Sequence, residues 1–114
     1  MKKTFELEGK DNKPDHKLFI EVDDNYEAYH KPIPDRTPYQ DGFITWFNAF
    51  GVRDKNGNDA DVEYTVTLKK RDSGKKLFYQ DKNKKPVEIK PEDAGNGNIR
   101  FKLSIGDPPT GHYP

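Results

Sequence analysis

Residues 43–52 read FITWFNAFGV, residues 53–61 RDKNGNDAD and residues 62–68 VEYTVTL. Two apolar-rich runs flank Asn56-Gly57, and an Asn-Gly pair between alternating hydrophobics is the strongest short-range signal for a β-hairpin. With Asn56 and Gly57 as the central residues of a type I′ turn, Lys55 faces Asn58, Ala49 faces Tyr64, Phe47 faces Val66 and Thr45 faces Leu68. Opposed residues share a face. One face then carries Phe43, Phe47, Ala49, Val62, Tyr64, Val66 and Leu68 and belongs on a core. The other pairs Trp46 with Thr67, Asn48 with Thr65 and Phe50 with Glu63, so one arm sets large apolar groups where its partner sets polar ones. A one-residue slip, or a bulge at Gly51, moves Trp46 to the Leu68 face.

Outward from this stretch the same period of two recurs. Phe5 and Leu7 alternate in Thr4–Glu8. Leu18, Ile20 and Val22 alternate in Lys17–Val22, with Phe19 on the opposite face and half exposed. These two runs suit an N-terminal hairpin. Short strands are expected around Leu77 and Tyr79 and around Val87 and Ile89. Ile99, Phe101, Leu103 and Ile105 mark a closing strand. Between them lie turn clusters at Gly9–Asp15, Arg71–Gly74 and Asp81–Lys85, and a loop over Pro91–Asn98. Residues 23–42 hold Pro32, Pro34 and Pro38 and read as an irregular loop. Within it a short helical turn is expected at Asp24–Tyr29, capped by Asp24 or Asn25. Residues 106–114, GDPPTGHYP, read as an extended tail. About seven short strands with turn signals every 8–12 residues predict one all-β domain over residues 1–114. The expected architecture is an antiparallel β-sandwich, immunoglobulin-like or jelly-roll-like.

Composition bounds the function. Twenty Lys and Arg balance twenty Asp and Glu, so no global field draws in nucleic acid or an anionic membrane. The charged fraction of 35% exceeds the apolar fraction of 31%, which argues for a thin core; the 12% aromatic content and the clustered apolar runs argue for an ordered one. No Cys is present, so disulfides and thiolate metal sites are excluded. Residues 1–10 carry no apolar run, so they make no signal peptide, and no stretch is long enough to span a bilayer as a helix. A complete chain of this kind is expected in the cytoplasm. The lysine runs at 69–71, 75–76 and 82–85 read as solvated turns and edge protection.

Three groups of side chains are candidates for chemistry. Asp54, Asn56, Asn58, Asp59 and Asp61 offer hard oxygen atoms of the type calcium takes. Counted from Asp54, however, the glycine of that loop falls at the fourth position where an EF-hand loop has it at the sixth, and Thr65 stands where the twelfth-position Glu would be. Asp and Asn are also what turns prefer. Trp46, Tyr26, Tyr29 and Tyr39, with Asn48 as a polar neighbour, could form an aromatic platform for a glycan. The alternative is that the Tyr/Pro segment folds over Trp46 as a small second core. Catalysis has little support. His16, His30 and His112 have no shared spacing, and neither Ser73 nor Ser104 sits in a nucleophile elbow. The expectation is a non-enzymatic module that binds a protein partner or itself, without a cofactor; glycan binding is the alternative.

Overall fold

A computed structural model describes residues 1–7, 18–31, 45–46, 49–68, 76–83 and 85–112. Among these the chain is all-β with antiparallel pairing throughout and no helix. The strands are β1 (Lys2–Leu7), β2 (Leu18–Asp23), β3 (Tyr26–Lys31), β4 (Thr45–Trp46), β5 (Ala49–Asp54), β6 (Tyr64–Leu68), β7 (Leu77–Gln80), β8 (Pro86–Ile89), β9 (Glu92–Gly95), β10 (Asn98–Leu103) and β11 (Thr110–His112). They form a five-stranded sheet in the order β1-β2-β6-β10-β9, a four-stranded sheet β4-β11-β7-β8, and a pair β3-β5.

The five-stranded sheet follows the alternation of its sequence. Phe5 pairs Ile20, Ile20 pairs Val66 and Val66 pairs Phe101, which makes one apolar row across four strands. Leu7, Leu18, Leu68 and Ile99 make the next. Ile20, Val66 and Leu68 are sealed from solvent, while Phe5 and Leu7 on the edge strand are only partly covered. The opposite face carries Glu21, Thr65 and Lys102 in one row and Phe19, Thr67 and Arg100 in another. Phe19 is half-buried there, on the face away from Leu18, Ile20 and Val22, as its position in the alternation requires.

The 43–68 stretch does not fold as one hairpin. Val66 pairs Ile20 and Phe101, not Phe47, and Thr45 and Trp46 pair His112 and Gly111 of β11. Residues 43–44 and 47–48 lie outside the described residues, so the expected core role of Phe47 does too. The turn at Asn56-Gly57 exists but is not type I′. That type needs positive φ at both central residues, whereas Gly57 has φ +88° and Asn56 is not in the left-handed region. Gly57 N–H donates to the Asp54 carbonyl at 3.1 Å and Asp54 N–H to the Asn58 carbonyl at 2.8 Å. Residues 55–57 therefore make a three-residue loop with glycine at its left-handed position. Asp54 Oδ1 accepts the Asn56 and Asn58 N–H groups at 2.9 and 3.0 Å and braces it.

Beyond the turn the arms stay together only as far as the Arg53–Asp59 bridge and the Ala60 N–H bond to the Val52 carbonyl, 2.9 Å. Val62 N–H then bonds the Ala60 carbonyl at 3.0 Å, a three-residue turn that sends the chain into β6. Separation resolves the conflict between the faces of the arms. β5 turns Phe50 and Val52 inward against His30 and Ala28 of β3, and β6 turns Tyr64, Val66 and Leu68 inward from the other sheet. The two stripes meet across the core, where the Phe50 and Tyr64 rings pack edge to face with centroids 6.3 Å apart.

Three further expectations are corrected. Asp24–Tyr29 makes no helical turn: Asn25 N–H bonds Asp23 Oδ1 at 2.9 Å, the chain turns a corner, and β3 begins at Tyr26. A run that pairs side by side with β5 from Tyr26 to Lys31 satisfies its backbone in a ladder, which outweighs the local capping signal. The irregular loop thus starts no earlier than residue 32. Pro91–Asn98 is not a loop but β9 and a tight turn, with Asn96 at φ 56° and Gly97 at φ 82° between paired Gly95 and Asn98. Here, at the second Asn-Gly pair, both central residues have the positive φ that a type I′ turn requires. The tail is also not free, since Thr110–His112 forms β11 between β4 and β7.

Candidate functional site

The turn carboxylates have separate occupations. Asp54 points into its own loop. Asp59 Oδ1 accepts the Tyr29 hydroxyl at 2.6 Å. Asp61 Oδ1 accepts Gly106 N–H at 3.0 Å and its other oxygen meets Lys82; the Lys82 ammonium first and the Gly106 N–H second hold its carboxyl below the usual range. Among the described residues no group of three or more His, Asp or Glu is placed to hold a metal ion. The acids of the loop are thus held by the loop's own backbone, by the Tyr29 hydroxyl, and by Lys82 and Gly106.

The tyrosines are not brought together. Tyr26 and Tyr29 stand three apart on β3 and so project to opposite faces. Tyr26 packs against the core with Ala28. Tyr29 lies on the far face, over Gly51, with the Arg53 guanidinium 4.6 Å from its ring centroid and Arg53 Nε bonded to Glu27 Oε1 at 2.5 Å. One ring face is thus covered by a cation, an arrangement attractive in itself. Burial and the bond to Asp59 push the Tyr29 phenol upward. A platform using both rings is not formed. Tyr39 and Asn48 lie outside the described residues, and the described part of Trp46 is its backbone, paired with Gly111.

Around Gly51 the backbone segments are tied closely together. Val52 N–H bonds the Gly106 carbonyl at 2.8 Å, and the Tyr64 hydroxyl bonds the Ile105 carbonyl at 2.5 Å. A Cβ on Gly51 would lie 2.7 Å from Tyr29 Cζ and 2.8 Å from the Gly106 oxygen; one on Gly106 would lie 2.6 Å from Ala60 N. These close approaches fix where β10 runs out into residues 104–107, and so shape the feature beside it.

That feature is an open groove of about 970 Å³ along β10. β9 pairs β10 only at Asn98, Ile99 and Arg100. On that side Phe101, Lys102 and Leu103 have no ladder partner among the described residues. The groove spreads from this edge over the outer face of the sheet, past Glu63, Thr65 and Glu21 to Lys2, and on the other side reaches Val87 and Ile89 of β8, the end strand of the other sheet. Phe101, Leu103 and Ile89 form a nearly buried apolar floor, and Glu88, Lys90 and Lys102 are exposed at the rim. Lys102 Nζ is 3.9 Å from Glu63 Oε1, with both side chains about two-thirds exposed (67% and 66%), so this ion pair is loose and well hydrated. Arg100 Nε bonds Glu92 Oε1 at 2.9 Å, the last cross-strand charge pair before β9 ends. The sequence shows Ile99–Ile105 as an alternating strand. It carries no local mark of which strand runs out beside it, because edge exposure is set by topology.

No family model matches the chain, and no curated protein or solved structure matches it. No helix among the described residues is long and apolar enough to cross a membrane.

Proposed function

We propose that the chain is a non-enzymatic interaction module that binds a protein partner, or itself, by strand addition at the open edge of β10. In this mode an extended segment gains main-chain hydrogen bonds from an unpaired edge, and alternate side chains enter pockets for specificity. The observation that carries the reading is the half-length pairing of β9, which on that side leaves the backbone edge of Phe101–Leu103 without a ladder partner among the described residues, beside Ile89 of β8. Unmanaged edges are hazards that proteins usually blunt with Pro, Lys or short strands. β8 is blunted in this way, with Pro86, Lys90 and Pro91 at its ends; β10 carries only Lys102. The accompanying architecture is a β-sandwich, immunoglobulin-like or jelly-roll-like, with the five- and four-stranded sheets as layers. In support, Leu77 and Ile89 of one sheet share a single core cluster with Ile20, Val66 and Phe101 of the other.

The test is a titration of the chain with extended peptides of alternating apolar and charged residues, followed by amide hydrogen exchange. Binding with new protection confined to the outward-pointing amides of 101–105 supports the reading. If neither a peptide nor a second copy alters exchange there, the reading is wrong.

A further inference from the structure

The described edge of β10 asks for a particular neighbour. A strand laid against it must present apolar groups on the side of Phe101 and Leu103 and an acid on the side of Lys102, since opposite charges across a strand pair attract and like charges repel. β1 has that pattern in Phe5-Glu6-Leu7. Phe5 and Leu7 lie on the core face of the same sheet, only partly covered, and Glu6 lies on the outer face. β1 also ends the sheet order on the side opposite β9 and β10, so among the described strands its outer edge has no ladder partner.

We propose that the groove takes β1 of a second copy of this chain. The strands run antiparallel, with Leu7 opposite Phe101, Glu6 opposite Lys102, Phe5 opposite Leu103 and Thr4 opposite Ser104. Both faces then continue from one five-stranded sheet into the next, because a register that pairs Glu6 with Lys102 automatically sets both apolar sets on the core side. Leu7 falls opposite Phe101, next to the Arg100–Glu92 pair with which β9 begins, so the incoming strand continues the line of β9 from the place where Pro91 and Lys90 lead away to β8. The two surfaces are different patches, which makes the contact heterologous and head-to-tail, and such contacts grow into chains unless they close into a ring. This inference rests on the proposed function, since it assigns an occupant to the same edge.

The experiment is sedimentation of the full chain across a wide concentration range, with Glu6→Lys, with Lys102→Glu, and with an equal mixture of the two. The wild type is expected to show a mass that rises with concentration past the dimer. Each single variant sets like charges across the junction and is expected to associate about three- to tenfold more weakly. In the mixture, every contact between a Glu6→Lys chain and a Lys102→Glu chain again sets opposite charges across the junction, and wild-type association is expected to return. Thermal melts that match the wild type show that the variants are folded. A mass that stays monomeric while peptides still bind the β10 edge overturns the second-copy assignment and leaves the proposed function standing; no binding of either kind overturns both. A plateau at the dimer, or a mixture no stronger than its parts, also overturns the head-to-tail pairing.

Discussion

At the scale of single residues, burial separates two phenylalanines that the sequence lists alike. Phe50 is sealed at 0% exposure and meets Tyr64 edge to face, whereas Phe19 lies half-buried on the outer sheet face. Phe50→Ala is expected to cost about 3–5 kcal/mol through lost burial and the cavity left. Phe19→Ala is expected to cost about 1 kcal/mol, near the centre of single-mutant effects. Urea midpoints of the two variants check the ranking, and a larger loss at Phe19 would reverse the assignment of faces. Tyr64 adds a pH dependence. Burial chiefly, with the charges of Asp107 and Asp61 behind it, pushes its phenol above the ordinary value. In the unfolded chain that phenol titrates near pH ~10. Above that pH the unfolded state sheds a proton that the native state keeps, so this contribution is complete below pH ~10 and is lost as pH rises further. Urea melts through the alkaline range are expected to show falling stability. Tyr64→Phe is expected to flatten that fall while costing about 1–3 kcal/mol at neutral pH, because the Ile105 carbonyl loses its partner. A Tyr64→Phe chain with an equally steep alkaline fall would place the titration elsewhere.

At the scale of elements, turns and crossings decide more than alternation does. Gly57 needs its left-handed φ but has open space around it, so Gly57→Ala is expected to cost about 1–2 kcal/mol of backbone strain. Gly106 has no unusual φ, yet its Cβ would strike the Ala60 backbone, which cannot rotate away. Gly106→Ala is expected to cost about 1–3 kcal/mol by overpacking and to loosen the Val52–Gly106 and Asp61–Gly106 bonds together. Thermal melts combined with amide exchange at Val52 distinguish the two, since only Gly106→Ala should speed exchange there. The strands with clean alternation, β1, β2, β6 and β10, were legible in the sequence, as was the β1–β2 hairpin. β3 and β11 were not. Tyr26–Lys31 alternates weakly and sits before a proline-rich run, and Thr110–His112 is three residues beside a Pro pair. Both are strands because neighbours distant in the chain complete their hydrogen bonds, which no local pattern records. The Asn-Gly rule was right about the turn type but fits residues 96–97; at 56–57 the flanking Asp54 side chain favours a longer loop.

At the scale of the molecule, the unequal lengths of paired strands create the candidate site. β9 covers half of β10, and β8 stands across an apolar floor from the rest. Tyr26, Tyr29 and the acids Asp54, Asp59 and Asp61 do not line this groove, because they were chosen for chemical type, whereas the groove arises from missing partners. Phe101 and Leu103 read as core and are core on one side; what matters is the backbone edge they leave open. The most direct test of the account is amide hydrogen exchange of the wild-type chain at residues 101–105 as its own concentration is raised or an alternating peptide is added. Rapid exchange is expected at the outward-pointing amides of the isolated chain, and protection of those amides, without change at Val66 or Ile20, when a strand is supplied. Outward-pointing amides that are already protected in the isolated chain, or that stay fast under every addition, would contradict it.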